Sequence, residues 1–175
     1  LDPTVAYDGA DLLRETERVL REVDPTLVVL PDPADAHPDH SAAGLFTLLA
    51  LDARAGARMG DRPATARMLT YLVHWSRWPA EAGHPASSIE DTPLELPEDF
   101  VPSRMRTYLR LGDEERAAKK RALDRHWTQQ EAMAPFLAAF VRRTEPFTIL
   151  GETEFEHIAS LIERRVGERR TQKRD

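Results

Sequence analysis

The chain has no cysteine among its 175 residues. That excludes disulfide staples, thiolate nucleophiles and Cys-held zinc, so any metal must be held by His, Asp or Glu. A long apolar run is also missing. The strongest stretch, Leu45 to Leu51, falls far short of the ~20 residues needed to cross a bilayer, and no membrane span is expected. There is no basic stripe either: 24 basic residues are mixed among 30 acidic ones, for a formal charge of -6, so nucleic acid is not an expected partner. No Gly-rich loop follows any strand the pattern predicts, which argues against a phosphate- or nucleotide-binding module. The chain opens at Leu1 with neither an initiator Met nor a basic region followed by an apolar signal core. Its start is therefore expected to be a cut through a longer protein, with cytoplasm the default compartment.

What is present fits one globular domain. The 41% hydrophobic content is ordinary for a chain that buries a core. From Asp8 to Val23 the residues Leu12, Leu13, Thr16, Val19, Leu20 and Val23 recur at three- and four-residue spacing, which predicts an amphipathic helix ended by Asp24-Pro25. Thr26 to Leu30 reads as a buried parallel strand bounded by Pro31. A polar, Pro-rich loop follows from Asp32 to His40, and Ser41 opens a helix running through Leu51. Helix, buried strand and helix define an α/β unit. Further on, Met68 to Trp75 predicts a strand, Pro79 to Pro102 a loop, and Met105 to Leu111 a short strand. Asp113 caps a charged helix reaching about Gln130, Pro135 marks a break before Phe136 to Val141, and a last helix covers roughly Thr153 to Val166. The chain thus divides into an α/β part over 1–78, a loop-rich part over 79–112, helices over 113–167 and a frayed tail over 168–175.

Chemistry concentrates in the loop after the first strand, where His37-Pro38-Asp39-His40 is flanked by Asp32 and Asp35. In open α/β sheets ligands bind beyond the carboxyl ends of the strands, which is where this loop sits. Catalytic zinc takes three protein ligands and leaves a fourth position for water. Two imidazoles and a carboxylate could supply that set, but neighbouring side chains diverge, so one histidine on metal and the other on proton transfer is the better division. A solvated turn with incidental histidines is the bland alternative.

The stretch Leu27-Val-Val-Leu-Pro-Asp-Pro-Ala-Asp-Ala-His-Pro-Asp-His-Ser-Ala-Ala-Gly44 resembles the second motif of PIG-L (LmbE-like) N-deacetylases. Tyr71-Leu-Val-His-Trp75 with Trp78-Pro79 resembles the family's next block, and Lys119-Lys-Arg-Ala-Leu123, Thr128-Gln129 and Phe140-Val-Arg142 resemble its C-terminal helices. The resemblance covers most of the chain in the right order. It implies a Rossmann-like three-layer α/β sandwich with a mainly parallel sheet, and hydrolysis of an N-acetyl group on an amino sugar or similar small molecule by a metal-bound water. By the same resemblance His40 is the metal ligand, of zinc or of iron in its place. His37 is the imidazole facing the developing oxyanion or leaving amine, and Asp39 orients it.

The chain departs from the family in one respect: the early His-Pro-Asp-Asp stretch that supplies the other two ligands and the general base is not found here, and His84-Pro85 is followed by Ala86. The first strands of the sheet are expected to be missing with it, leaving an open sheet edge and a tendency to form homo-oligomers. The alternative is a non-catalytic domain that keeps the fold and binds a sugar-like ligand or a partner chain. His74 reads either as a core histidine or as a neighbour of the pocket. Trp75, Trp78 and Trp127 read as packing residues, with Trp75 and Trp78 the better carbohydrate candidates. His84 is expected to be solvated, and His126 and His157 are given no role.

Overall fold

In the computed structural model, which describes residues 8–57, 66–79, 89–101, 103–151, 155 and 158, the chain forms a mixed α/β structure. The described elements are α1 (Gly9–Val23), β1 (Leu27–Pro31), α2 (Pro38–Ala57), β2 (Arg67–Tyr71), β3 (Arg106–Arg110), α3 (Asp113–Asp124), α4 (Trp127–Ala138) and β4 (Thr144–Leu150). The four strands make one sheet in the order β1-β2-β4-β3. A mainly parallel sheet was expected, but the sheet is mixed. The α3–α4 connection returns the chain so that β4 runs antiparallel to β3, with Arg106 opposite Thr148 and Arg110 opposite Thr144. The chain gathers into two compact units, one of Leu1–Pro33, Pro38–Thr70 and Leu150–Asp175, the other of Ala34–His37 and Tyr71–Ile149.

In the first unit Asp8 caps α1, its carboxylate accepting the Asp11 N–H at 2.9 Å, and Asp24 ends the helix in a left-handed conformation with its N–H on the Leu20 carbonyl. The Arg54 guanidinium of α2 donates to that same Leu20 carbonyl and to the Asp24 carboxylate, tying the two helices together. Leu30, Leu48, Met68, Leu150 and Phe155 form the core. β1 is buried on one face only. Leu30 is enclosed, whereas Leu27 and Val29 on the opposite face are exposed, so the fully buried strand expected at Thr26 to Leu30 is half-solvated at the end of the strand order.

The second unit packs Leu72, Leu96 and Phe100 with Trp75 and Trp78. Its irregular Ile89–Asp99 stretch is fastened by charge-assisted bonds. The Arg106 guanidinium donates to the carbonyls of Leu96, Pro97 and Phe100, and the buried Arg142 donates to the Ala139 carbonyl and the Thr92 hydroxyl. The single helix expected from Asp113 to Gln130 is two helices, parted at Arg125 and His126. Pro135 lies inside α4 and does not end it. The break falls at Met133 (φ -144°, ψ 30°), which places Pro135 near the start of the resumed helix, where its missing N–H costs nothing. β4 was not expected at all. It alternates buried Pro146, Thr148 and Leu150 with half-buried neighbours, a period-2 pattern interrupted in sequence by a proline. Of the helix expected over Thr153 to Val166 only positions 155 and 158 are described, both helical, and the 168–175 tail lies outside the described residues.

Candidate functional site

The His-Pro-Asp-His stretch follows β1 in the chain after the intervening residues 32–36 and runs directly into α2. Pro38 takes the first helical position, where its fixed φ suits the helix and its missing N–H has no partner to lose. The helix therefore starts three residues before Ser41, and Pro38, Asp39 and His40 stand in its first turn and not in a loop. There the Asp39 carboxylate meets the positive end of the helix dipole. Gly44 lets the helix lie against the strand: a Cβ at this position would run into the Pro31 carbonyl oxygen and sit 3.2 Å from the Pro33 nitrogen. The Ser41 hydroxyl donates to the Pro33 carbonyl at 2.8 Å, and the fully buried Asp32 accepts the Thr70 hydroxyl at 2.5 Å. These contacts fix the strand-to-helix junction within the first unit. His40 is half-buried there, with its Nδ1 enclosed.

His37 belongs to the second unit, and Pro38, Asp39 and His40 to the first. Its surroundings are defined. Asp35, 5% exposed, accepts the His37 N–H on Oδ1 at 2.8 Å and the N–H groups of Val73 and His74 on Oδ2 at 2.8 and 3.0 Å. The Ala36 N–H donates to the His74 carbonyl at 2.9 Å. The His37 ring, exposed to solvent, lies 5.2 Å from the His74 ring at a 32° tilt, and His74 stacks on Phe136 at 5.2 Å and 4°. Phe136 meets Phe140 edge-on, and Phe140 meets Trp78 in the same way. Burial, with the Asp35 charge adding to it, pushes the neighbouring Tyr71 phenol above its ordinary pKa.

A cavity of about 660 Å³ opens in the same unit beside Trp75 and Trp78, with Thr92, Glu95, Asp99 and Arg142 among its walls. The Trp75 indole N–H donates to Asp99 at 3.3 Å and that of Trp78 to the Glu95 carbonyl at 2.7 Å. Both indoles thus serve packing, as expected, and also line the space.

Of the residues singled out in the sequence, His37 is brought together with His74. His40 and Asp39 share the first turn of α2. His126 precedes α4 without capping it through its side chain, and His84 and His157 lie outside the described residues. Two participants went unassigned: Asp35, whose signal was its place two residues before His37, the spacing of an Asx turn, and Phe136, which had none. As for metal, no three of the His, Asp and Glu side chains among the described residues gather into a ligand set. A catalytic zinc needs three protein ligands, and the described residues do not bring such a set together. In comparisons with family models, curated proteins and solved structures, nothing matches this chain.

Proposed function

We propose that the chain carries the proton-handling part of an N-deacetylase of the PIG-L type, acting on an N-acetylated amino sugar or a similar small amide. The observation that supports this most is the setting of His37: an imidazole open to solvent, fastened through its backbone by a buried carboxylate and flanked by a second imidazole. Hydrolysis forms a C–O bond from water and breaks the amide C–N bond, and the amine must take up a proton as it leaves. A solvent-open imidazole held in place is suited to deliver that proton. Asp39 as its orienting carboxylate and His40 as ligand to zinc or iron belong to the same reading through the resemblance, as does a Rossmann-like three-layer arrangement from which the antiparallel β3–β4 pair departs. The test is acetate release from N-acetylglucosamine conjugates by the full-length gene product. Release that survives His37→Ala unchanged would sink the reading.

The cavity beside Trp75 and Trp78 favours a second reading, a domain that binds a sugar-like ligand without cleaving it. Saturable quenching of tryptophan fluorescence by such a sugar, with no acetate released, would select it.

A further inference from the structure

Asp35 uses both carboxylate oxygens on backbone donors from two separate stretches of chain, the turn carrying His37 and the segment carrying His74, which the Ala36 N–H to His74 carbonyl bond also joins. The segment in turn presents a flat ring to the His37 imidazole, and that ring is backed by Phe136, Phe140 and Trp78 in succession. A side chain's rotamers are restricted when its backbone is pinned and one face of its ring is occupied by a wall that cannot retreat. His37 meets both conditions while staying exposed to solvent.

We infer that Asp35 and His74 are positioning residues for His37, Asp35 by pinning its backbone and His74 by walling its ring. The geometric part stands alone. The part that concerns turnover rests on the deacetylase reading. The wall that His74 offers to His37 is the plane of its ring, so phenylalanine should substitute for it and alanine should not.

The test uses the full chain with histidines labelled for NMR, reading His37 side-chain rotamers from three-bond couplings and ring proximity from nuclear Overhauser effects. Wild type should show one dominant His37 rotamer and a His37–His74 ring contact. His74→Ala should average the rotamers and His74→Phe should restore one, while Asp35→Asn should loosen the His37 backbone. Should His74→Ala fail to fold, Phe136→Leu removes the support behind an intact His74 and should broaden the His37 rotamer distribution. A single rotamer retained in whichever of these two variants folds, or averaging already present in wild type, would overturn the inference. In the full-length gene product, His74→Ala should lower kcat on the order of tenfold to hundredfold with KM little changed, and His74→Phe should recover it. If phenylalanine is as poor as alanine there, the nitrogens matter and the positioning role is wrong. If the wild type releases no acetate, the deacetylase reading fails while the rotamer result still decides the geometry.

Discussion

A carboxylate that accepts backbone N–H groups on both oxygens cannot be exchanged for an amide without turning one acceptor into a donor aimed at a donor. Asp35 is in that position. Asp35→Asn can satisfy either the His37 side or the Val73–His74 side, and it should lower stability by about 1.5–3 kcal/mol, the usual worth of hydrogen bonds to a charged group, measured by denaturant unfolding. Tyr71 gives a pH-dependent counterpart. Its pKa is raised in the folded state, so below about pH 10 the phenol is protonated folded or unfolded and stability is unaffected. As pH climbs past that value the unfolded chain loses the proton first, and stability should fall until the folded pKa is passed. Tyr71→Phe should flatten part of that alkaline loss, and equal slopes in the two proteins would refute the assignment. The sequence displayed half of this arrangement: Asp35 two residues before His37 is a local signal. Its other partners lie 38 and 39 residues away, beyond the reach of any spacing rule.

Elements whose signals were local were legible, and those decided by distant packing were not. The three- and four-residue spacing of its apolar residues foretold α1, and the Asp8 cap was found only in the structure. α2 begins earlier than the apolar pattern suggested, because Pro38 starts the helix and no apolar side chain is needed there. β4 hid behind Pro146, which pairs opposite Tyr108 in a sheet. The one-sided burial of β1 was not legible either, since Leu27-Val-Val-Leu30 reads the same in a strand covered on both faces. Gly44→Ala should destabilise by about 1–3 kcal/mol despite alanine's better helix propensity, because the new Cβ meets the Pro31 carbonyl; unchanged or higher stability in thermal unfolding would show that the junction can yield. The exposed Leu27 and Val29 on a terminal strand should promote association of the chain, and Val29→Lys should reduce it in sedimentation velocity. An equally associated variant would place the contact elsewhere.

For the whole molecule, the mixed α/β class could be read from alternating helix and strand signals, while the direction of the last strand pair and the division into two units could not. No described helix is long and apolar enough to cross a membrane. The site was legible as a motif and not as a constellation. The pairing of His37 with His74 depends on how the chain folds back, and the ligand set that His40 would join is not completed among the described residues. The division of labour between the two motif histidines is therefore the central claim, and it is most directly tested by measuring bound zinc and acetate release together in the full-length gene product. His40→Ala should lose metal along with activity. His37→Ala should keep its metal and lose something like 10²–10⁴-fold in kcat. Loss of metal in His37→Ala with retention in His40→Ala, or no effect of either change on metal and rate, would contradict the account.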